Sequence, residues 1–402
     1  MPLRAVDPPA VARLETGIGE LDRVLGGGLV PGSMVLLGGA PGIGKSTLTG
    51  MALGNLSAGG RKALYISGEE SAAQVRLRAE RLGEGALDVP CLAETSLEAV
   101  LGALRAERPD ACVIDSVQTL HSPDLDGAPG SVGQVREAAS ALLEEAKRLE
   151  TAVILVGHVT KDGGLAGPRV MEHLVDCVLQ FEGERERTYR TLRALKNRFG
   201  ATNEVGVFEM CSGGLTEVAD PSARFLEEAS DAPGACVLAA MEGTRPVLVE
   251  VQALVAPTDV VPPRRVSNGI DRNRLSLVLA VLGRHARISL AASDVFVNVA
   301  GGVRIEEPGA DLAVALAVAS AHRGQPLHRG GRPLACFGEI GLTGELRHVA
   351  HPERRLEEAR KFGLAPVLAP PSAEPLDGLE SHRTLAAALQ GGLASGPQRA
   401  AA

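Results

Sequence analysis

Aromatic residues are the scarcest class of large side chain in this sequence. Of 402 residues only 2% are aromatic, with two tyrosines and no tryptophan. Hydrophobic residues still make up 45% of the chain, so the cores must be built from leucine, valine, isoleucine and alanine. A surface that binds single-stranded nucleic acid by stacking its bases on aromatic rings would be poor.

Cysteine is also scarce. The six cysteines lie far apart in the sequence, and no two of them form a C-x-x-C pair. This spacing argues against a zinc site and against a disulfide framework, and it is typical of reduced thiols in a cytosolic protein. We therefore expect no bound zinc and a cytoplasmic location.

Neither a membrane segment nor an overall basic surface is evident. The longest apolar segment, residues 312–321, is too short to span a bilayer, and no signal peptide opens the chain, so no membrane partner is expected. The net charge of −8 means that a nucleic-acid partner would have to be bound by local basic clusters on loops. A length of 402 residues is long for one core and favours two domains.

The clearest motif is a glycine-rich loop that matches G-x-x-x-x-G-K-[ST] at every fixed position. An apolar run at 33–37 precedes it as a buried strand, and a helical pattern at 46–57 follows it. This order directs backbone N–H groups and a helix N-terminus toward a triphosphate, which predicts ATP binding. We expect Lys45 to reach the β and γ phosphate oxygens and Ser46 to bind Mg²⁺. The nine residues of the phosphate loop are Gly39, Ala40, Pro41, Gly42, Ile43, Gly44, Lys45, Ser46 and Thr47.

Strand and helix patterns alternate after this loop. Strands are predicted at 63–67, 111–115 and 151–157, and helices at 71–82 and 132–150. A short helix is also predicted before the loop, capped by Thr16 and ending at Leu25. The alternation predicts an α/β domain with a mostly parallel sheet, whose ligands bind beyond the carboxyl ends of the strands.

Three of these strand ends carry polar residues suited to ATP hydrolysis. Asp115 ends an apolar strand and is expected to hold Mg²⁺ through water. Glu69 is our first choice for the acid that polarises the attacking water. Glu70 is the alternative, although an acid there is also favoured by the dipole of the following helix. His158 either senses the γ-phosphate or has a structural role.

Two loops follow strand ends on the nucleotide side. Residues 160–169 carry Lys161 and Arg169, and residues 121–133 are rich in proline, glycine and aspartate. Such loops can couple the phosphate state to the grip on a polymer such as DNA. Lys161 and Arg169 are therefore DNA-binding candidates, with solvated connectors as the alternative.

A basic hairpin comes next. Residues 189–195 and 205–210 alternate as two strands, and the turn between them has the sequence KNRFG at 196–200. Lys196 or Arg198 could supply positive charge to the nucleotide site of a neighbouring subunit, and this requires a ring or a filament. The alternative is an exposed basic turn.

Five segments together resemble the RadA (Sms) family of bacterial DNA repair proteins. The resemblance implies a RecA-like P-loop ATPase core that forms a hexameric ring and moves on single-stranded DNA as a helicase-type motor. It also implies extension of branched recombination intermediates together with the RecA recombinase. The family usually carries a four-cysteine zinc finger, and no such cysteines precede Leu14. The segments are residues 16–28, 39–47, 68–71, 157–163 and 196–200.

The rest of the chain is predicted to form a second domain. Residues 1–220 are assigned to the ATPase domain, 221–233 to a polar linker and 234–402 to an α+β domain. Segments 307–311 and 338–345 of the latter resemble the proteolytic domain of Lon, which is similar to ribosomal protein S5 domain 2. This resemblance places Gly309 at the catalytic serine and the lysine partner at 353–355, where no lysine occurs. Because Ser-Lys chemistry needs both groups, no peptide hydrolysis is expected.

Seven arginines of the second domain are candidates for contacts with DNA phosphates, among them Arg264, Arg265 and Arg284. The alternative is that they are ordinary surface cations. Two alternative functions exist for the whole chain, and the missing Ser/Lys pair disfavours the first. One is an ATP-dependent protease, and the other is a RecA-like regulatory ATPase of the circadian-clock type. The seven are Arg264, Arg265, Arg272, Arg274, Arg284, Arg287 and Arg304.

Overall fold

The computed structural model divides into two compact units, Met1–Ala219 and Asp220–Ala402. It describes residues 12–159, 165–166, 170–183, 189–211, 213–227, 229–329 and 331–393, and the side chains of 158, 159, 165, 166 and 170 are excluded. No helix in those ranges is both long and apolar enough to cross a membrane.

The first unit is built on one ten-stranded sheet with the order β10-β9-β8-β7-β1-β5-β4-β2-β3, and β6 pairs with β5. The strands from β7 to β3 along this order run parallel, which confirms the predicted sheet. The strands β7 to β10 form an antiparallel extension. The strands are β1 (Met34–Gly39), β2 (Ala63–Ser67), β3 (Cys91–Ala93), β4 (Ala111–Asp115), β5 (Ala152–Val159), β6 (Leu165–Ala166), β7 (Cys177–Glu182), β8 (Tyr189–Asn197), β9 (Val205–Cys211) and β10 (Gly214–Glu217).

Helices cover both faces of this sheet. Alternate residues of β1 enter different cores: Val35 and Leu37 pack with residues of the second helix, whereas Met34 and Leu36 pack with residues of the fifth and sixth. A strand that is apolar on both sides is typical of a parallel sheet buried between helices. The helices are α1 (Gly19–Leu25), α2 (Lys45–Ala58), α3 (Ala72–Ala79), α4 (Glu84–Leu87), α5 (Leu97–Glu107), α6 (Val132–Leu149) and α7 (Val170–Leu174).

The sequence analysis was wrong or incomplete at several places in this unit. Thr16 does not cap α1, because the helix begins at Gly19 and the Thr16 hydroxyl donates instead to the Asp22 carboxylate at 2.9 Å. The strand β3 and the helix α5 were missed. Three residues of strand are too few to show an alternating pattern, and β3 is held by pairing with β2 rather than by its own sequence.

The second unit has a seven-stranded sheet with the order β13-β14-β12-β11-β17-β20-β21. Its central helix, α10, has ten consecutive buried residues from Asp311 to Ser320. The strands are β11 (Ala235–Glu242), β12 (Arg245–Pro257), β13 (Arg265–Asn268), β14 (Ser293–Val299), β15 (His328–Arg329), β16 (Arg332–Pro333), β17 (Ala335–Cys336), β18 (Glu339–Ile340), β19 (Leu346–Arg347), β20 (Val367–Ala369) and β21 (Leu379–Ser381). The helices are α8 (Pro221–Leu226), α9 (Arg272–His285), α10 (Asp311–Arg323), α11 (Pro352–Lys361) and α12 (Leu385–Leu393).

Residues 221–233, which we expected as a linker, belong to the second unit and contain α8. The Ser222 hydroxyl donates to Glu358 at 2.6 Å and accepts from the Leu248 N–H at 3.1 Å. Phe225 of the same helix is buried. These contacts anchor the segment. Their removal would leave buried polar groups without hydrogen-bond partners, which would destabilise the fold.

Candidate nucleotide-binding site

The predicted polar strand ends meet at one edge of the first sheet. Ser67 at the end of β2 is in register with Asp115 at the end of β4, and Asp115 is in register with Val156 of β5. Gly39 at the end of β1 lies opposite His158. Since parallel strands end on the same side, the phosphate loop and the two predicted acidic positions surround one cavity.

The phosphate loop has the backbone that an anion site needs. Gly42 and Gly44 have φ values of +76° and +118°, which side-chain-bearing residues rarely adopt. Gly44 is the N-cap of α2, so the unpaired N–H groups at the start of this 14-residue helix point into the cavity. A methyl group on Gly39 would lie 2.8 Å from the Phe181 carbonyl oxygen, so only glycine fits there. This cradle fits the phosphates of a nucleotide.

Lys45 lies at the bottom of the loop. Its ammonium donates to the carbonyl oxygens of Gly39 at 2.8 Å and Ala40 at 3.1 Å. Burial lowers the pKa of Lys45, while the charges of Asp115 and Glu69 partly oppose that change. The two hydrogen bonds to carbonyl oxygens fix the ammonium beside the place where phosphate oxygens would bind.

Ser46 and Asp115, the two residues predicted to hold Mg²⁺, are in direct contact. The Ser46 hydroxyl donates to Asp115 Oδ2 at 2.5 Å, so the two oxygens are close enough to serve one cation. Groups of three or more metal-binding His, Cys, Asp or Glu side chains were not found in the described part of the chain. A site with one hydroxyl and one carboxylate fits Mg²⁺, which keeps several waters and takes further oxygens from phosphates.

The two adjacent glutamates have different partners. Ser116 Oγ donates to Glu69 Oε1 at 2.5 Å, and the Glu69 charge acts on Lys45. Glu70 Oε2 instead forms an ion pair with Arg78 at 2.5 Å. Glu70 would have to give up this guanidinium to orient a water molecule. This geometry favours Glu69 as the acid that acts on water.

Arg78 lines the cavity and Tyr65 lies behind its wall, and the sequence analysis named neither as a site residue. Tyr65 donates its hydroxyl to Asp115 Oδ2 at 2.6 Å, and Arg78 donates to the Tyr65 oxygen at 2.8 Å. A polar hydroxyl within the otherwise apolar β2 was the available signal. The cavity has a volume of about 360 Å³. It is lined by Pro41, Gly42, Gly44, Lys45, Ser46, Thr47, Ser67, Glu69, Glu70, Arg78, Asp115 and Met210.

The KNRFG turn lies at the other edge of the sheet. Lys196 is in register with Val178 near the start of β7, whereas the cavity lies beyond the ends of the parallel strands. The Lys196 ammonium donates to the carbonyl oxygens of Glu172, His173 and Val175 at 2.8, 3.3 and 2.7 Å. It therefore caps the C-terminal end of α7. Neither Lys196 nor Arg198 belongs to the cavity of its own chain.

Arg198 is more accessible than Lys196. It pairs with Asp176 at 3.0 Å, and its side chain is 52% exposed. Asp176 also accepts from the Met34 N–H at 3.1 Å, which ties the turn to the start of β1. Arg198 thus has N–H donors at the surface, while its ion pair with Asp176 fixes its position.

Several candidates lie outside the described residues. Lys161, Arg169 and the rest of 160–164 and 167–169 are among them, as is the side chain of His158. The other predicted loop, 121–133, is described. Gln134 anchors it by donating to the carbonyl oxygens of Ser122 and Leu125 at 3.0 and 2.8 Å.

The arginines of the second unit differ in availability. Arg264 and Arg284 are exposed. Arg265 donates to the carbonyl oxygens of Arg264 at 3.0 Å and Leu290 at 2.7 Å, so it braces the edge of the sheet. Arg274 forms a two-point ion pair with the buried Asp311 at 2.7 and 2.5 Å. Only the exposed arginines are well placed for an external phosphate.

The two positions assigned by the resemblance to Lon lie side by side. A methyl group on Gly309 would be 3.4 Å from Arg355 Nη1 and 3.0 Å from Glu307 Oε2. Arg355 is 1% exposed and pairs with Glu307 at 2.7 and 2.5 Å. Gly309 has no side-chain nucleophile, and because a guanidinium does not lose its proton in proteins, Arg355 cannot replace the lysine base.

Comparisons with known proteins give consistent matches. A family model described as an AAA domain matches residues 2–164. The DNA repair protein RadA of Listeria monocytogenes is 52% identical over 375 residues, covering 93% of this chain and 81% of that protein. RadA of Bacillus subtilis is 49% identical over 379 residues, covering 94% and 81%. A KaiC-like protein from Pyrococcus horikoshii matches with a TM-score of 0.44 and 19% identity, covering 52% of this chain and 99% of that one.

Proposed function

Because the chain belongs to the RadA family of bacterial DNA repair proteins, we propose that it is an ATP-driven motor acting on single-stranded and branched DNA during recombinational repair. The family supports a role in DNA repair, and the AAA domain supports ATP hydrolysis. The observation that carries the proposal is the cavity in which Lys45, Ser46 and Asp115 converge with Glu69.

Each residue of the cavity has a task in this proposal. The N–H groups of the phosphate loop and Lys45 bind and orient the phosphates. Ser46 and Asp115 hold Mg²⁺, which when bound neutralises phosphate charge. Glu69 orients the attacking water and accepts its proton. The Ser116 hydroxyl fixes the Glu69 carboxylate for that purpose.

The KNRFG turn is proposed to act on the cavity of a neighbouring subunit in a hexameric ring. Arg198 is the better donor of charge, because its guanidinium is half exposed and has more N–H groups than its ion pair with Asp176 uses. Lys196 is proposed to hold the turn in place, since its ammonium already donates to three carbonyl oxygens. Positive charge from a neighbour can raise the rate of phosphoryl transfer by about 10³–10⁵-fold.

The proposed DNA contacts are Lys161 and Arg169 in the first unit and Arg264 and Arg284 in the second. The two arginines are exposed and have no competing internal role of the kind that Arg265 and Arg274 have. RecA is the proposed protein partner at recombination branches. The second unit is proposed to be a Lon-like scaffold for assembly, without peptidase activity, because Gly309 and Arg355 occupy the positions of the dyad.

ATP turnover measured with and without single-stranded DNA tests the proposal. We expect the unmodified chain to hydrolyse ATP faster with DNA, and we expect DNA binding to weaken as salt rises. Lys45→Ala should lose nucleotide binding and turnover, because it removes the phosphate-binding ammonium. Lys147→Ala, at an exposed lysine of α6, is the matched control and should change neither. ATP turnover that does not change when DNA is added, together with no DNA binding at low salt, would contradict the proposed motor function.

A further inference from the structure

A row of polar side chains crosses the cavity wall behind the motif residues. Arg78 Nη1 donates to Glu70 Oε2 at 2.5 Å, and Arg78 Nη2 donates to the Tyr65 hydroxyl oxygen at 2.8 Å. The Tyr65 hydroxyl in turn donates to Asp115 Oδ2 at 2.6 Å. Ser46 donates to the same carboxylate oxygen at 2.5 Å. The row thus runs from α3 to the proposed Mg²⁺ site.

The direction of these hydrogen bonds is set by the chemistry of the groups. A guanidinium has only donors and a carboxylate has only acceptors, so the single Tyr65 proton must point to Asp115. The Arg78 guanidinium also lies 5.5 Å from the centre of the Tyr65 ring. Tyr65 is buried, and Arg78 is largely covered. Glu70 at the outer end of the row is 40% exposed, so the row extends from the protein surface into the cavity wall.

The row has a specific consequence for Asp115. Its carboxylate accepts two hydrogen bonds from hydroxyl groups, one from Ser46 and one from Tyr65. When Ser46 turns its oxygen toward a cation, Tyr65 is the hydroxyl that still orients the carboxylate. At the other end of the row, Arg78 keeps Glu70 apart from Glu69.

We propose that Arg78 is a positioning residue for ATP hydrolysis, which holds Glu70 aside and, through Tyr65, orients the Mg²⁺-binding carboxylate of Asp115. The inference rests on the proposed ATP hydrolysis. It assigns Arg78 no contact with the reacting atoms. Its effect should therefore appear in the use of Mg²⁺ more than in the binding of the nucleotide itself.

The test compares Arg78→Gln and Tyr65→Phe with Arg76→Gln in the full-length chain. Arg76 lies on the same helix, is 76% exposed and pairs only with Glu80, so its variant is the matched control. ADP affinity is measured by calorimetry with and without Mg²⁺. We expect the gain in affinity caused by Mg²⁺ to fall roughly tenfold in Arg78→Gln and Tyr65→Phe, since each loses a hydrogen bond to a charged group. Affinity without Mg²⁺ should not change.

Turnover gives a second readout. In both variants the Mg²⁺ concentration for half-maximal ATP turnover should rise, and Arg78→Lys should restore part of the loss. The double variant Arg78→Gln/Tyr65→Phe should be no worse than the poorer single variant, because the two residues act in one row. A lower unfolding temperature with an unchanged Mg²⁺ dependence would overturn the inference, and so would additive losses.

Failure of this inference is distinguishable from failure of the proposed function. If the unmodified chain does not hydrolyse ATP, the proposed function fails. If it hydrolyses ATP and Arg78→Gln responds to Mg²⁺ like Arg76→Gln, only the positioning role fails.

Discussion

At the scale of single residues, the cavity separates two adjacent acids that the chain presents as near equals. Glu69 and Glu70 follow the same strand, but a hydroxyl holds one and a guanidinium holds the other. A carboxylate that already accepts from a guanidinium is poorly suited to accept a proton from water. The division of roles therefore depends on Ser116 and Arg78, which are 47 and 8 positions away from their partners.

This division makes a prediction for two matched variants. Glu69→Gln should slow single-turnover ATP hydrolysis by about 10²–10⁴-fold, because it removes the base, while the affinity for ADP stays the same. Glu70→Gln should slow hydrolysis much less, since it removes only the carboxylate that pairs with Arg78. Quenched-flow measurement of the hydrolysis rate in both variants shows which glutamate acts as the base. A larger loss in Glu70→Gln would reverse the assignment.

At the scale of secondary structure, the hairpin of β8 and β9 fastens parts of the first unit that are distant in sequence. Lys196 caps α7, while Asn197 donates to the carbonyl oxygens of Val24 and Leu25 at 3.2 and 3.3 Å, at the end of α1. Burial lowers the pKa of Lys196, and the nearby Arg198 charge adds to that effect. This basic turn thus caps the C-terminal ends of two helices, α7 and α1.

Removal of the cap should loosen α7 locally. Lys196→Ala withdraws three charge-assisted hydrogen bonds, so the local opening free energy of 170–176 should fall by about 1–3 kcal/mol. Hydrogen exchange followed by mass spectrometry measures this, with Lys147→Ala as the control. ATP affinity should remain unchanged, because the turn is at the opposite edge of the sheet. Unaltered exchange in 170–176 would contradict the capping role.

At the scale of the whole molecule, the proposed ring requires that one subunit complete the site of the next. The unmixed Arg198→Ala protein should bind ATP but turn it over slowly, and the Lys45→Ala protein should not bind it. Mixed rings should regain turnover, because the intact cavity of an Arg198→Ala subunit can meet the Arg198 of a Lys45→Ala neighbour.

The mixing experiment is read from ATP turnover against the ratio of the two variants, at constant total protein. Recovery at intermediate ratios is the expected result. Turnover that merely follows the sum of the separate variants would show that Arg198 does not act across a subunit boundary. A mixture of Lys45→Ala with the unmodified chain serves as the reference for assembly.

The sequence by itself determined the phosphate loop, the mostly parallel sheet and the acidic strand ends. These features depend on local patterns: fixed glycine and lysine spacing, apolar runs and residues directly after strands. It also identified the absence of a serine and a lysine at the dyad positions. Such properties are readable because each is encoded within one short segment.

Only the tertiary structure decided which side chains complete the site. Tyr65 and Arg78 reach Asp115 and Glu70 because the Arg78 side chain on α3 lies beside Tyr65 of β2, and Arg355 meets Gly309 across 46 positions of sequence. Lys196 likewise finds its partners through the tertiary structure, because its ammonium donates to carbonyl oxygens more than 20 positions earlier. Partners of this kind depend on packing between elements, and a guanidinium or an ammonium carries no local signal of which acceptor it will find.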